Sequence, residues 1–232
     1  MNLLADHPYL LSSLLGVPGV LIAFAAAGQF RTSIFVAGLV NTLYGLPVAS
    51  FDAPYWTPNR IGGFPVGVED VIVSFSLGAG VWFAAILPFG RQMTITGRWP
   101  EGLARFAWIG VGGMAFVLLA RMIVPVYMPA LLLVMIAMAF VLGWLRPHLL
   151  PPALAALLVY PVYYAAILYL TEAIVPGFFD IWDGPELWGP RLFGLPVEEI
   201  VFVAAFSFTF ALIAGTVVGA RVQPPARVRR EG

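Results

Sequence analysis

Seven stretches of the chain stay apolar for the length that a helix needs to cross a bilayer. They run from Tyr9 to Ala27, Thr32 to Ser50, Val66 to Leu87, Leu103 to Val124, Met128 to Leu145, Pro152 to Ile174 and Pro196 to Ala220. Hydrocarbon offers no water to backbone N–H and C=O groups, so a chain that enters it repeatedly must bond internally as helices, each of roughly 20 residues. Composition agrees, since 61% of residues are hydrophobic and only 10% are charged, against about 25% charged in soluble domains. The expected fold is all-α: a polytopic membrane protein of seven transmembrane helices in a single membrane domain over residues 1–232. The first stretch has no basic leader and no small-residue cleavage site, so it is expected to be a retained helix.

Several chemistries are excluded by what the sequence lacks. It has no cysteine and only two histidines, His7 and His148, so no metal site is expected. All twelve basic residues are arginine, and without lysine a retinal Schiff base cannot form. No G-x-G-x-x-G follows a strand and no haem or iron–sulfur ligand set is present, so no redox cofactor is expected.

Arginine also sets the expected orientation. With seven spans, one side holds Arg31, Arg91, Arg98, Arg105, Arg146, Arg221, Arg227, Arg229 and Arg230, and the other holds Arg60, Arg121 and Arg191. The positive-inside bias makes the Arg-rich side cytoplasmic, with the N-terminus and the connections 51–65 and 175–195 outside. The basic tail, 223–232, reads as a topology signal; no nucleic-acid partner is expected.

The stretch R-I-G-G-F-P-V-G-V-E-D, from Arg60 to Asp70, returns as R-L-F-G-L-P-V-E-E, from Arg191 to Glu199. Gly67 and Val68 are the most economical insertion between the copies. Upstream, Phe51 and Asp52 correspond to Phe179 and Asp180, and Tyr55 and Trp56 have a counterpart in Trp188. The chain therefore reads as two three-helix repeats, about 1–90 and 127–222, joined by a linking helix over about 100–126. One linking helix makes the repeats parallel, so both acidic motifs open at the same face.

The bland reading of P-V-E-E is a helix start, with proline in the first turn and acids facing the helix dipole. Its surroundings favour chemistry, because carboxylates within a membrane are costly and usually functional. Glu199, Phe202, Phe206 and Phe210 recur at helical spacing, while the equivalent face of the third helix is small, with Ser74, Ser76, Gly78 and Gly80. Close packing is the simpler account of that small face; a ligand cavity is the other. Two carboxyl groups crowded in an apolar site favour keeping one protonated, which provides a general acid. Aromatic faces stabilise a developing carbocation, and exclusion of water protects it.

The segment P-E-L-W-G-P-R-L-F-G-L-P-V-E-E-I-V-F, from Pro185 to Phe202, resembles the hallmark of the small membrane-integral lycopene cyclases, which occur as paired subunits or as one fused chain. The segment from Asp52 to Asp70 looks like the weaker first copy. The resemblance implies a redox-neutral, proton-initiated cyclisation of a linear carotenoid or other isoprenoid polyene. Carried over by position, the catalytic acids would be Glu69 with Asp70 and Glu198 with Glu199. Trp56, Trp188, Phe202 and Phe206 are candidate substrate-binding cation stabilisers. Family members usually carry an amide-bearing residue below each acidic pair; here those levels hold Ser76, Leu77, Phe206 and Ser207, which leaves the substrate open. The expected partners are a lipophilic isoprenoid, membrane lipid and other isoprenoid-pathway enzymes. A carotenoid hydratase, an epoxide-type meroterpenoid cyclase, a proton-coupled transporter and a membrane scaffold are the competing readings.

Overall fold

The computed structural model describes residues 3–49 and 55–223. Phe51, Asp52, Arg227, Arg229 and Arg230 lie outside the described residues, and with them part of the expected repeat and most of the basic tail.

The chain is mostly helical. Seven long helices follow one another: α1 (Pro8–Ala26), α2 (Arg31–Ala49), α3 (Val68–Ile86), α4 (Trp99–Ile123), α5 (Tyr127–Leu145), α6 (Leu150–Ile174) and α7 (Val197–Val218). Among the described residues six of them are long and apolar enough to span a membrane, rather than the expected seven. The helix outside that set is α2, the least apolar of the seven, with Asn41 and Thr42 in its middle. Asn41 donates from Nδ2 to the Ser74 carbonyl at 2.7 Å, and Thr42 bonds back to Gly38 at 2.9 Å. Both polar groups are thus used in packing. The chain is a multi-pass membrane protein.

The two helices that begin with acids stand at the centre of the bundle. Helix α3 packs against α1, α2, α6 and α7, and α7 also packs against α4 and α5. Small residues allow the tightest approach: a Cβ on Gly78 would run into the Ala37 carbonyl and Asn41, and one on Gly80 into the Tyr160 ring. At Gly78 and Gly80 the small face of α3 therefore serves close helix contact. Helix α4 is peripheral, burying only Ile109 and Ala120 and exposing Trp108, Met114, Leu118 and Met122.

Each end of the bundle is closed differently. At one end β1 (Met93–Ile95) pairs antiparallel with β4 (Ala220–Val222). At the other, the connections that precede α3 and α7 bond to each other: Thr57 donates from its backbone to the Ile181 carbonyl at 2.8 Å and from its hydroxyl to Asp183 at 2.7 Å. Both acidic motifs consequently sit at one end.

The recurring R-x-x-G-x-P pattern encodes a turn. In the second copy β2 (Arg191–Leu192) pairs with β3 (Leu195–Pro196), and the two residues between them, Phe193 and Gly194, have φ of 47° and 92°. Positive φ at both central positions is the hairpin turn that matches strand twist. In the first copy Gly62 and Gly63 stand at the same places, with φ of 77° and 67°. Arginine and proline frame the turn, and the carboxylates start the helix that follows.

Candidate active site

All four acids are withdrawn from solvent: Glu69 and Glu198 are 0% exposed, Asp70 2% and Glu199 4%. Burying a carboxylate is costly unless its oxygens find donors, so the partners of each oxygen decide its role. The first acids of the two pairs share one arrangement. Glu69 Oε1 accepts the Ile61 backbone N–H at 2.7 Å, and Glu198 Oε1 accepts the Trp188 backbone N–H at 2.7 Å. In both residues Oε2 is buried and has no hydrogen-bond partner among the described residues. Gly67, in the two-residue insertion, has a local reason here, since a Cβ at that position would run into Glu69 Oε2.

The second acids have both oxygens occupied, by different means. Asp70 accepts Arg60 Nε at 2.8 Å and Nη2 at 3.0 Å, the Tyr9 hydroxyl at 3.0 Å and the Gly67 N–H at 2.6 Å. The last bond caps the start of α3. Among the described residues no cation pairs with Glu199. It accepts the hydroxyls of Tyr164 at 2.7 Å and Tyr55 at 2.8 Å, and Trp182 Nε1 at 3.2 Å. Arg191, the counterpart of Arg60, turns instead to the carbonyls of Trp182, Gly194 and Phe179 at 2.6, 2.9 and 3.3 Å. Burial, and then the nearby Glu199 charge, push the Tyr55 hydroxyl far above the usual tyrosine range, so it stays a donor at any physiological pH.

An aromatic bridge links the two pairs. Tyr9 meets Trp56 edge-on at 4.9 Å, Trp56 stacks on Trp182 at 5.8 Å, and the Arg60 guanidinium lies 5.8 Å from the Trp56 ring and 5.9 Å from the Tyr9 ring. Below this bridge a narrow, partly open cavity of about 50 Å³ is lined by α1, α3, α6 and the connections that carry Trp56 and Trp182. Ser12 and Ser13 on α1, Ser76 on α3, and Tyr160 and Tyr164 on α6 line it, together with Trp182. The hydroxyl groups of Tyr9 and Tyr164 connect its wall to Asp70 and Glu199.

The sequence-derived aromatic candidates divide on this geometry. Trp56 is on the cavity wall. Phe202, Phe206 and Phe210 stack on one another at 5.9 and 5.3 Å as a column on α7, away from the cavity lining. Trp188 supplies its backbone N–H to Glu198, and the residue is 45% exposed. The ring that pairs with Trp56 is Trp182, two residues after Asp180. Glu172, near the acidic end of α6, accepts the backbone N–H groups of Gly177 and Phe179 at 3.0 and 2.8 Å and so shapes the following turn. Sequence alone does not single out Tyr9, Tyr164, Trp182 or the role of Arg60. Only Trp182 left a readable signal, as an aromatic after the repeated Phe-Asp pair.

Residues 126–216 match the family model of lycopene cyclases. The match covers less than half of the chain, and that segment is similar to lycopene cyclases. It takes in α5, α6 and most of α7, with Glu198 and Glu199, and leaves Glu69 and Asp70 outside. No curated protein and no solved structure matches the chain. The match supports a carotenoid cyclase-like function.

Proposed function

We propose that the protein closes a ring at the end of a linear carotenoid or related isoprenoid polyene by proton transfer, with Glu69 and Glu198 as the exchanging acids. The observation that carries this reading is the matched pair of buried, partnerless Oε2 atoms, each on a carboxyl group anchored through Oε1. A carboxyl group held by one oxygen and free at the other is suited to giving or taking a proton. One acid protonates the terminal alkene at one carbon, leaving a cation at its neighbour. The next double bond attacks that cation and forms the ring bond, and loss of a proton beside the new cation restores an alkene. One proton enters and one leaves, with no electron transferred.

Asp70 and Glu199, with both oxygens occupied, position the wall. Asp70 orients Tyr9 and Glu199 orients Tyr164, presenting ring faces that stabilise positive charge most where water is excluded. The Arg60 charge beside Tyr9 and Trp56 would repel a cation if unpaired; Asp70 neutralises it. A polyene end group needs more room than this cavity offers, so the cavity must widen to admit it. One side of the cavity is held by the Tyr163 hydroxyl, which donates to the Gly16 carbonyl at 3.2 Å.

The test is expression in a lycopene-accumulating host with chromatography of the pigments. A cyclic product is expected from the parent chain and none from Glu198→Gln. Equal product from both would overturn the acid assignment.

A further inference from the structure

The end of the bundle opposite the acids holds a second pocket, lined by Thr96, Arg105, Arg146, Thr216, Gly219 and Arg221. Its three guanidinium groups come from α4, the residue after α5, and β4. Like charges brought around one pocket repel, and the repulsion weakens only as water or an anion screens it. Arg105 has a partner, Glu101 at 2.8 Å, and its Nη1 reaches the Thr216 carbonyl at 3.4 Å. Among the described residues no carboxylate pairs with Arg146 or Arg221.

Arginines at a membrane boundary have an ordinary explanation in the positive-inside bias, and cations suit the C-terminal end of α7. Neither accounts for Thr216. That residue is 8% exposed, and its Oγ1 is buried with no hydrogen-bond partner among the described residues. A buried hydroxyl left unpaired is costly, and this one belongs to a residue of the pocket wall. Gly219, at φ 67°, ends the helix, and a Cβ there would press on Gly97 and on Arg105 Nη1, so glycine keeps the guanidinium in place.

We propose that this pocket binds a phosphate group, carried by an anionic lipid headgroup or free in solution. Guanidinium forks match phosphate oxygens in pairs, and Thr216 supplies the remaining donor from the wall. The site is independent of the ring-closure reading, since it lies at the other end of the bundle.

The experiment uses the purified full chain in detergent and follows Tm during titration with inorganic phosphate, and separately with phosphatidylglycerol in mixed micelles, at constant ionic strength. Phosphatidylcholine is the lipid control. A saturable rise in Tm is expected with at least one probe. Response to inorganic phosphate assigns a free anion; response to phosphatidylglycerol alone assigns a headgroup. Arg146→Gln should weaken the apparent Kd by roughly tenfold or more, as loss of a charge-assisted hydrogen bond implies. Thr216→Val should weaken it as well, and it supplies the test if Arg146→Gln does not fold. Arg91→Gln, which removes an exposed arginine outside the pocket, should leave the Kd unchanged. Absence of a saturable response to both probes, or equal weakening by Arg91→Gln and the pocket variants, overturns the proposal.

Discussion

Trp56 stacks on Trp182 at 5.8 Å with an interplanar angle of 27°, joining the connection before α3 to the connection before α7. Trp182 Nε1 continues to Glu199, and Trp56 meets Tyr9, whose hydroxyl continues to Asp70. The second acid of each pair is therefore tied to the other through three rings. Trp182→Phe keeps a ring but removes the donor to Glu199, so product formation should fall with the fold retained. Trp182→Ala, which empties a site that is 2% exposed, should cost about 3–5 kcal/mol of stability. Thermal unfolding and pigment analysis on both variants check the difference.

The two acids of the first pair should respond oppositely to amide substitution. Asp70→Asn leaves Arg60 beside a neutral group in a buried setting, and breaking such a pair costs roughly 3 to 5 kcal/mol. Glu69→Gln keeps an oxygen for the Ile61 N–H, so its unfolding transition should move little. Its turnover should fall by about 100-fold or more, the usual contribution of an acid or base. If Glu69→Gln unfolds while Asp70→Asn does not, Glu69 is a structural cap and the roles are reversed.

Tyr55 carries a pH signature of its own. Its folded-state pKa is raised by burial and by Glu199, so the folded protein holds the phenolic proton where the unfolded chain, with a pKa of about 10, releases it. The stabilisation is fully present below about pH 10 and is lost as pH rises above that value. Tyr55→Phe should therefore destabilise at pH 7, by about 1.5–3 kcal/mol for a hydrogen bond to a charged group. The gap between the two proteins should narrow above pH 10. Denaturant unfolding at pH 7 and pH 11 measures it; a gap that widens at high pH contradicts the assignment.

The arginines lead to an expected orientation that fusion reporters check. A reporter after Gly232 should be cytoplasmic, and one inserted near Gly184, in the connection before α7, should be external. The opposite pattern would place the acidic end of the bundle in the cytoplasm.

The parts of this arrangement written locally were legible in the sequence. Long apolar runs give helices because lipid allows little else, and the R-x-x-G-x-P pattern with two acids marks a turn followed by a helix start. Gly63 and Gly194 recur because positive φ is needed at both. What the sequence did not disclose depends on distant helices. Tyr9 and Tyr164 look like ordinary aromatic residues of α1 and α6 until folding brings them to Asp70 and Glu199. Trp188 was paired with Trp56 by its place beside the motif, whereas the turn at Phe178–Ile181 carries Trp182 under Trp56 and leaves the Trp188 ring outside. The aromatic spacing on α7 was real, but it describes a stacked column. Spacing along one helix does not say which neighbour faces it.

The most discriminating prediction concerns where protons go. Ring closure adds a proton at one carbon and removes one from another, so reaction in deuterated water should place one deuterium on each new ring. A hydratase acting on the same cation would also incorporate deuterium but would add a hydroxyl group, which mass separates. Tyr164→Phe keeps the ring face on the cavity wall and removes the hydroxyl held by Glu199. It should retain deuterium incorporation with reduced turnover, because the face remains while its orientation loosens. Tyr164→Ala removes the face as well, and a cation–π contribution of roughly 0.5 to 2 kcal/mol makes its turnover lower still, by up to about 30-fold. Phe206→Ala, on the stacked column outside the cavity lining, should lower stability more than turnover per folded molecule. Equal turnover in Tyr164→Phe and Tyr164→Ala would remove the ring from the mechanism, and a cyclic product without solvent deuterium would remove the acids.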